Sequence, residues 1–413
     1  MRPANSDFDV VIVGGGAAGI GAARHLASSG LSTLLLEAGP RLGGRAWTQE
    51  IAGLSLDLGC GWMHSAEKNA WAGIANDAGI LIDQSRAAWG TQYRNLGFTP
   101  AEQSAARQNF EDWMRRLVQV CKTTDRASDA LDPGNPWNHY LRAIVGFISG
   151  GDLDAMSATD YLAYDDASTE SNWRSPAGLG ALIAGSFPAG VALRLATPVQ
   201  AIGLEGSGVT VTTARGTLRA RAALLTVSTA VLAGESITLP VQLDPWREAA
   251  KLLPLGHNEK LFFEIVGEVP FEKENQVLGN PRATCTGSYY LRPLDLPVVE
   301  CFLGGESARM AQEDGTAAAF AFALDQLSAL FGANIRGKLR PLLASAWGRT
   351  THVGGAYSYA VPGHADARRV LARPCEQRLF FAGEATHVNE FSTAHGAHDS
   401  GVRAAQEVIA ALA

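Results

Sequence analysis

Residues 8–37 read FDVVIVGGGAAGIGAARHLASSGLSTLLLE. The first six residues form a short apolar run rich in β-branched side chains, which is typical of a strand buried on both faces of a parallel sheet. The following residues place Ala18 and Leu26 on one helical stripe, which Gly30 ends. A second apolar run then leads to Glu37. The stretch therefore predicts a strand-helix-strand unit and hence an α/β fold.

The glycines Gly14, Gly16 and Gly19 form the pattern G-x-G-x-x-G where the first strand meets the helix. Such glycines permit a tight turn and a close approach of the backbone to a pyrophosphate, and the helix N-terminus supplies N–H donors. Glu37 ends the second strand, where a carboxylate accepts ribose hydroxyls, and it argues against a 2′-phosphate. The alternative, a glycine-rich turn in an ordinary α/β domain, does not explain this register. We therefore expect a bound dinucleotide.

The composition excludes several classes of protein. The 413 residues, 46% hydrophobic and 18% charged, indicate a globular chain of two or three domains. The formal net charge of -7 has the wrong sign for a surface that collects nucleic acid or anionic lipid. Five cysteines without a C-x-x-C pair suggest neither a disulfide framework nor a zinc site, and the stretch His395 to Asp399 reads as a short loop without settled ligand geometry. We expect a cytoplasmic protein without a metal and without nucleic-acid or membrane partners.

Sequence of the same α/β type recurs in the middle and at the end of the chain. Residues 191–233 contain apolar runs around a Gly-Ser-Gly turn, and RLFFAGEAT at 378–386 precedes an amphipathic helical pattern. Residues 98–170 have helical patterns, and residues 255–305 have alternating strand patterns. We predict two interleaved domains: a dinucleotide-binding domain of residues 1–80, 178–235 and 350–413, and a substrate-binding cap of residues 81–177 and 236–349.

The segment after the second strand narrows the identity of the dinucleotide. It reads EAGPRLGGR over residues 37–45, and it places Arg41, Arg45 and the pair Gly43 and Gly44 just past the ribose-binding carboxylate. This continuation resembles the E-x-x-x-R-x-G-G-R pattern of the flavin-containing amine oxidase family, whose members bind FAD. The resemblance implies a Rossmann-like FAD-binding domain of the GR2 type, with the amine oxidase fold, interleaved with an α+β substrate-binding domain.

Two further segments are similar to the same family. Gly383 and Glu384, in FAGEAT, resemble its second FAD motif, in which the glutamate holds the ribityl or ribose part of the cofactor. Val199, in TPVQAI, lies where the family packs a backbone segment against the adenine. The resemblance thus assigns a set of residues to FAD binding: Gly14, Gly16, Ala18, Gly19, Glu37, Arg41, Gly43, Gly44, Arg45, Gly59, Gly61, Trp62, Val199, Gly383, Glu384, Thr393 and Ala394.

Within the family, the chain is most similar to the polyamine-oxidase and histone-demethylase branch. Residues 57–64 (DLGCGWMH) resemble the loop that passes the flavin, and residues 256–264 (GHNEKLFFE) resemble the strand whose lysine holds a water against flavin N5. Residues 354–359 (GGAYSY) and 392–397 (STAHGA) resemble the segments that wall the substrate side of the flavin. The resemblance implies catalytic roles for Lys260, Tyr357, His64 and Trp347, and a substrate pocket formed by Tyr357, Ser392 and Thr393.

Several of these residues also have a purely structural interpretation. Lys260 heads a strand and can be a solvated edge lysine, His64 can be an ordinary half-buried histidine, and Trp347 can be a core residue. Tyr357 and Tyr359 alternate in a strand, so that one of them is expected to pack in the interior while Tyr357 faces the ligand.

The implied chemistry is hydride transfer from the α-carbon of a primary or secondary amine, such as a di- or polyamine, to flavin N5. The resulting imine hydrolyses, and O2 is reduced to hydrogen peroxide. The amine must be neutral, because an ammonium has no lone pair to stabilise the developing iminium, and an apolar pocket disfavours the charged form. The position facing Tyr357 is Ser392 or Thr393, so only one of the two facing walls of the substrate pocket is aromatic. Ala356 stands where monoamine oxidases carry a flavin-linked cysteine, which predicts non-covalent FAD.

Two alternatives stay open from the sequence. One is a redox-neutral isomerase or desaturase, or a flavoprotein without catalytic activity, on the same FAD domain. The other is an L-amino-acid oxidase, which needs a cation for the substrate carboxylate. The sequence also leaves open the identity of the amine, the electron acceptor and the oligomeric state. The candidate cations for an amino acid are arginines of the cap: Arg86, Arg94, Arg107, Arg115, Arg116 and Arg174.

Overall fold

The computed structural model describes residues 6–413, and these contain sixteen strands. In chain order the strands are β1 (Phe8–Val13), β2 (Thr33–Leu36), β3 (Thr48–Ile51), β4 (Leu54–Asp57), β5 (Met63–His64), β6 (Asn172–Trp173), β7 (Ala192–Arg194), β8 (Val199–Glu205), β9 (Gly208–Thr213), β10 (Gly216–Leu225), β11 (Asn258–Ile265), β12 (Asn275–Leu278), β13 (Gly287–Leu291), β14 (Val298–Gly304), β15 (Leu339–Ala344) and β16 (Leu379–Phe381).

The same residues contain twelve α-helices, besides short 3₁₀ turns. The helices are α1 (Ala17–Leu26), α2 (Ala70–Asp77), α3 (Pro100–Val120), α4 (Asn138–Ser149), α5 (Ala158–Ala167), α6 (Leu179–Gly185), α7 (Thr229–Ala233), α8 (Asp244–Lys251), α9 (Glu306–Asp314), α10 (Thr316–Phe331), α11 (Ala367–Ala372) and α12 (Ala394–Leu412). None of the helices within residues 6–413 combines the length and the apolar character needed to cross a bilayer.

The larger sheet has seven strands with β1 between β2 and β10, all three parallel, so that Val10 aligns with both Thr33 and Ala222. Strand β7 pairs with β2, and β16 pairs with the end of β10, again in parallel. The first half of β10 pairs antiparallel with β9, which pairs antiparallel with β8. Because parallel strands end at one edge, Glu37 after β2 and Gly383 after β16 lie along the same edge as the turn after β1.

Both faces of this sheet are covered, as expected for a parallel sheet whose strands are apolar throughout. Val10 and Ile12 of β1 pack on one face with α1, α2, α6 and α12, while Val11 and Val13 pack on the other face with α7, α8 and α11. Helices α1 and α12 approach closely, since a Cβ added at Gly401 would lie 2.1 Å from the Ala18 carbonyl oxygen. The predicted strand-helix-strand unit is therefore present, in the middle of the larger sheet.

The second sheet has five antiparallel strands in the order β12-β13-β14-β11-β15. One face packs on α9 and α10 through residues such as Phe263, Tyr289 and Phe320. Helices α3, α4 and α5 form a separate apolar cluster around Trp113 and Tyr161. Helix α3 begins at a capping box, in which Thr99 and Glu102 each bond the other's backbone N–H, as its sequence pattern favours.

The structure adds one helix to the sequence-based prediction and differs from that prediction in two places. The stretch after β10, for which the sequence pattern predicts no helix, forms the short helix α7, because the Ser228 side chain caps it by accepting from the Val231 N–H. Residues 395–399, expected as a short loop, form the first turn of α12. Helix α8 falls inside the predicted cap, yet its Ala249 and Ala250 pack in the core of the larger sheet. The division into two domains stays a prediction.

Candidate active site

The three glycines of the turn after β1 differ in the space that surrounds them. Gly14 has a φ of +112°, and a Cβ there would lie 2.5 Å from Thr226 Oγ1. A Cβ at Gly19 would lie 2.0 Å from the Gly14 carbonyl oxygen, so only hydrogen fits. At Gly16, by contrast, a Cβ would meet nothing of the chain closer than 3.9 Å. The space beside Gly16, at the start of α1 with no acidic side chain in its first turn, suits the phosphates of a dinucleotide.

The second glycine pair lies directly against this turn. Gly43 donates its N–H to the Gly15 carbonyl at 2.8 Å, and a Cβ at Gly44 would lie 3.1 Å from the Gly16 Cα. The Arg41 guanidinium donates to the Gly44 carbonyl at 2.8 Å and lies 4.4 Å from the centre of the Trp47 ring. Arg41 thus fixes the backbone of the glycine pair in the structure, which adds to the predicted contact with the cofactor.

Glu37 lies beside both the glycine turn and the start of β8. Its carboxylate accepts the N–H groups of Gly15 and Gly39, each at 2.7 Å. Its carbonyl accepts the N–H of Thr197 at 2.9 Å, two residues before the buried Val199. Each carboxylate oxygen keeps a further lone pair for a ribose hydroxyl. The strands thereby bring Val199 near Glu37, the arrangement that the adenosine end of a dinucleotide requires.

Arg45 and Glu384 join the first and last parts of the chain. Arg45 Nη1 lies 3.0 Å from Glu384 Oε1, and Arg45 also donates to the Ala356 carbonyl. The buried Glu384 carboxylate further accepts from Ser358 Oγ at 2.7 Å and from Ser392 N–H at 2.9 Å. Burial alone would raise the pKa of Glu384, but the nearby Arg45 and other donors hold this pKa below its usual value. Glu384 is therefore an ionised, well-ordered acceptor.

A buried ion pair between Arg368 and Asp160, which the sequence did not reveal, lies next to the Glu384 carboxylate and its partner Ser358. Arg368 binds Asp160 of α5 through two parallel contacts, Nε to Oδ1 at 2.6 Å and Nη2 to Oδ2 at 2.8 Å. Arg368 Nη1 also donates to Ser358 Oγ at 2.9 Å, and its guanidinium lies 3.5 Å from the centre of the Phe391 ring. Ser358 thus connects Arg368 to the carboxylate of Glu384.

A pocket opens beside the Arg45 and Glu384 pair, and its wall contains an unpaired polar group. The Thr229 hydroxyl in this wall is buried and has no hydrogen-bond partner among residues 6–413. A buried hydroxyl without a partner indicates a site for a polar group. Neither the spacing nor the composition around Thr229 marks it as a site residue. The lining consists of Arg45, Leu225, Val227, Ser228, Thr229, Leu232, Leu371, Phe381, Ala382, Gly383, Glu384, Ala385 and Thr386.

Lys260 points at the loop of residues 57–64. Its Nζ donates to the Asp57 carbonyl at 3.1 Å and lies 3.0 Å from Glu300 Oε1. A Cβ at Gly61 would lie 3.3 Å from the same Nζ, and one at Gly59 would lie 1.7 Å from the Arg45 carbonyl oxygen. Burial lowers the pKa of Lys260, but Glu300 and Asp57 outweigh burial and raise this pKa above its usual value. The edge-lysine interpretation is excluded by the burial of Lys260.

His64 is held as a neutral imidazole. Its Nδ1 lies 2.6 Å from Asn172 Oδ1, and the Asn172 amide is oriented by donating its Nδ2 to the Glu170 carbonyl at 3.0 Å. The amide oxygen can only accept, so His64 carries its proton on Nδ1. Burial, and to a smaller extent Lys260, lower the pKa of His64. The Nε2 atom is consequently a proton acceptor at neutral pH.

Trp62 belongs to an aromatic cluster on the cap side of the loop. Its ring centre lies 4.4 Å from that of Trp89 and 6.1 Å from that of Tyr290. The buried Arg174 guanidinium lies 4.7 Å from the Trp62 ring centre, and its Nε and Nη1 atoms have no hydrogen-bond acceptor among the described residues. Sequence reasoning considered Arg174 only as a carboxylate ligand. Here it pairs with Asp83 at 2.5 Å and with Glu274 at 2.9 Å.

Trp347, Tyr357 and Tyr359 occupy three different environments. Trp347 packs in an apolar cluster with Leu56 and Leu58 and donates its indole N–H to the Leu58 carbonyl at 3.1 Å, which is the arrangement of a core residue. Tyr359 packs against the cluster of α3, α4 and α5. The half-buried Tyr357 donates its hydroxyl to a carbonyl of α4 at 2.9 Å, so its ring is fixed from the cap side.

The hydroxyls of Ser392 and Thr393 are both used within the protein. Ser392 Oγ donates to the Ser358 carbonyl at 3.0 Å, and Thr393 Oγ1 donates to the Glu390 carbonyl at 2.6 Å while it caps α12. The Ala394 carbonyl accepts the Trp71 indole N–H at 2.9 Å. This segment is therefore a rigid wall, and its hydroxyls are poorly placed to donate to a substrate.

No group of three or more potential ligands for a metal ion occurs within residues 6–413.

Comparison with known proteins agrees with this geometry. The sequence profile described as Flavin containing amine oxidoreductase matches residues 17–115 and 94–409. Polyamine oxidase 2 of Arabidopsis thaliana is 26% identical over 444 residues, which span 96% of this chain and 87% of the relative. Polyamine oxidase 3 of Oryza sativa subsp. japonica is 28% identical over 434 residues, with 96% and 88% covered.

A solved structure of putrescine oxidase bound to putrescine has the same fold, with a TM-score of 0.77 at 19% identity, over 98% of this chain and 99% of that one. The predicted fold class, with a Rossmann-like FAD-binding domain, is confirmed. The chain therefore belongs to the flavin-containing amine oxidoreductase family, and it is an FAD-dependent oxidoreductase that acts on amines.

Proposed function

We propose that the protein is an amine oxidase that removes a hydride from the α-carbon of a neutral primary or secondary amine, such as a diamine or a polyamine. FAD, held by residues that include Glu37, Arg45 and Glu384, would supply the hydride acceptor at N5 and the electron pair that reduces O2 to hydrogen peroxide. The imine left behind takes up water and hydrolyses to a carbonyl compound and an amine. Small-molecule amines and O2 are accordingly the proposed partners.

The observation that carries this proposal is the position of Lys260. Its ammonium is buried, and it is held against the loop of residues 57–64 by the Asp57 carbonyl and by Glu300. The loop continues from β4 and lies against Arg45, which also binds the second FAD motif. Lys260 is thus poised to hold a water molecule at the reaction centre, where water is needed to hydrolyse the imine.

Aromatic residues on and beside the loop of residues 57–64 favour a neutral amine. Trp62 and Trp89 lie next to each other, and His64 lies 5.8 Å from Trp89 between ring centres. Transfer of an ammonium from water to such surroundings lowers its pKa, and each unit corresponds to about 1.4 kcal/mol. The neutral His64 presents Nε2 as an acceptor for the proton that the amine releases. We assign Tyr357 to the opposite wall of the pocket.

The surroundings of Arg174 support an amine over an amino acid as the substrate. Arg174 is the buried arginine of the cap, and its charge is already matched by Asp83 and Glu274. It therefore has no net positive charge left for a substrate carboxylate. The names of the relatives, polyamine oxidase and putrescine oxidase, further support a di- or polyamine. The five cysteines are free thiols, which supports a reducing compartment such as the cytoplasm.

The test is anaerobic mixing of the yellow holoenzyme with a panel of monoamines, diamines, polyamines, L-amino acids and polyenes, while the flavin absorbance is followed. Bleaching by amines, followed in air by recovery of the colour and formation of peroxide, is the expected result. Bleaching by amino acids without bleaching by amines would show an amino-acid oxidase. Absence of bleaching by every compound, with an intact FAD spectrum, would contradict the proposal.

A further inference from the structure

Lys260 and Glu300 form a partly buried ion pair inside the active-site wall. The two side chains are 9% and 20% exposed, and Nζ and Oε1 lie 3.0 Å apart. Their strands are antiparallel neighbours, with Lys260 opposite Phe302 and Phe262 opposite Glu300. The two residues are therefore diagonal neighbours on one face of the sheet, the face turned away from α9 and α10.

Glu300 is the carboxylate nearest to the ammonium. Within residues 6–413 no other carboxylate oxygen lies within 4 Å of Lys260 Nζ. Asp57 contacts Nζ through its backbone carbonyl, while its carboxylate accepts from the N–H groups of Leu179 and Gly180 at 2.9 and 3.1 Å. The carboxylate of Asp57 is thus used to hold α6 against the loop.

The charge of Lys260 results from opposed effects. Burial disfavours an ammonium and can lower a lysine pKa by several units. The titratable groups that face Lys260 are Glu300 from β14 and Asp57, Cys60 and His64 from the loop and its flanks. Burial raises the pKa of the Cys60 thiol to about 12, and burial lowers the pKa of His64, so both are neutral near pH 7. Glu300, in direct contact with the ammonium, and the more distant Asp57 carboxylate are therefore the groups that offset burial, and Glu300 has the larger effect.

We propose that Glu300 is a positioning residue that keeps Lys260 protonated and aims its ammonium at the loop of residues 57–64. The part of this inference that concerns catalysis rests on the proposed amine oxidation. The pair has no net charge, so it holds a proton donor at the site without repelling an approaching cationic amine. A lysine alone would either lose its proton or carry an uncompensated charge into the pocket.

Nuclear magnetic resonance of the holoenzyme with ¹³Cε-labelled lysine tests the charge directly. The variant Lys260→Arg lacks the Lys260 signal and thereby assigns it. The six lysines of the chain are Lys68, Lys122, Lys251, Lys260, Lys273 and Lys338. In the wild type the Lys260 signal should keep the shift of an ammonium beyond the pH at which an ordinary lysine loses its proton, because Glu300 raises its pKa. In Glu300→Gln its titration midpoint should fall by about one pH unit or more.

The matched control is Glu264→Gln. Glu264 lies on β11 beyond Lys260, and it pairs with Arg340 at the surface. This variant should leave the Lys260 titration unchanged. Glu300→Asp, which keeps the charge on a shorter side chain, should give a midpoint between those of the wild type and Glu300→Gln, and it decides the question if Glu300→Gln does not fold. Equal midpoints in the wild type, Glu300→Asp and Glu300→Gln would overturn the proposal.

The pH dependence of flavin reduction gives a second measurement. With an amine that bleaches the wild type, the rate of flavin reduction in Glu300→Gln should change with pH around the Lys260 titration midpoint measured by nuclear magnetic resonance. A loss of stability alone would not produce this pH dependence. A midpoint that shifts without a matching transition in the rate would remove the link to catalysis. If no amine reduces the wild type, the proposed function fails, whereas the lysine titration still decides the role of Glu300.

Discussion

Arg45 and Glu384 are separated by 339 residues in the chain, and their side chains form a 3.0 Å ion pair. One belongs to the segment that follows β2, and the other follows β16. The pair therefore joins the first and the last part of the chain at one edge of the larger sheet, where we propose that FAD binds. The Glu384 carboxylate is buried, so water cannot stabilise its charge. Arg45 and the hydrogen-bond donors around the carboxylate stabilise it instead.

Glu384→Gln should weaken FAD binding at least about tenfold, or about 1.4 kcal/mol. The amide keeps the shape of the side chain but leaves Arg45 and Arg368 facing a neutral group. The ratio of flavin to protein after gel filtration, and titration of the apoprotein with FAD, measure the effect. Glu264→Gln, which removes a surface carboxylate of β11, should keep full occupancy. An unchanged FAD affinity in Glu384→Gln would show that this carboxylate does not hold the cofactor.

Gly16→Ala should give a folded protein that binds FAD poorly. The added Cβ meets nothing of the chain closer than 3.9 Å, and the backbone of Gly16 is extended, so the fold tolerates alanine. The new methyl group would instead fill the space assigned to the pyrophosphate. Gly73→Ala, in the middle of α2 with nothing within 4 Å, is the matched control and should bind FAD normally. A fully yellow Gly16→Ala protein would refute the assigned phosphate position.

FAD should be released intact when the protein is denatured. Ala356 stands where a tethering cysteine would be, and Cys60, which lies on the loop beside Lys260, is kept as a thiol because burial raises its pKa to about 12. Precipitation with trichloroacetic acid should leave a colourless pellet and a yellow supernatant with the spectrum of FAD. Colour retained in the pellet would show a covalent bond, and Cys60→Ala would then identify whether this thiol forms it.

The local features of the FAD-binding sheet were predictable, because each depends on a few residues adjacent in sequence. Gly14 and Gly19 have steric reasons to be glycine, and the apolar run of β1 fixes a strand buried on both sides. Glu37 follows the next strand in register, so the ribose-binding edge could be located as well.

Contacts between distant segments could not be predicted from sequence spacing. The pairs Arg368 with Asp160 and Lys260 with Glu300 each join elements that meet only in the folded chain. Glu300 lies in an alternating strand, which indicated its face but gave no sign of its partner. Trp347 is expected at the reaction centre by resemblance; its indole packs among leucines and donates to Leu58 of the loop of residues 57–64, and its catalytic role stays a prediction.

Arg368→Met should destabilise the protein by about 3–5 kcal/mol, because it leaves the Asp160 carboxylate buried without its partner. The side chains of the pair are 1% and 3% exposed, so solvent cannot compensate. Urea denaturation of the wild type, Arg368→Met, Asp160→Asn and the double variant gives the coupling energy. The exposed pair of Lys273 and Asp295 offers the control, and Lys273→Gln should cost less than about 1 kcal/mol. Additive effects in the buried pair would contradict the prediction.

His395 should make the protein less stable as the pH falls below neutrality. The imidazole is buried, its Nε2 has no hydrogen-bond partner among residues 6–413, and burial lowers its pKa to about 4 despite Glu390 at 3.9 Å. In the unfolded chain this imidazole becomes protonated near pH 6.5, whereas in the folded chain it stays neutral to a lower pH. The free energy of unfolding should therefore fall by about 2 kcal/mol between pH 7 and pH 5.

Urea denaturation of the wild type and of His395→Asn at pH 7 and pH 5 measures this contribution. Asparagine keeps a polar group near the Asn69 amide that the imidazole contacts, but it does not titrate. The variant should lose part of the stability at pH 7 and should show a smaller decrease at pH 5 than the wild type. His364→Asn, at an exposed position, should retain the full decrease of the wild type. Equal pH dependence in the wild type and His395→Asn would mean that His395 becomes protonated in the folded protein as readily as in the unfolded chain.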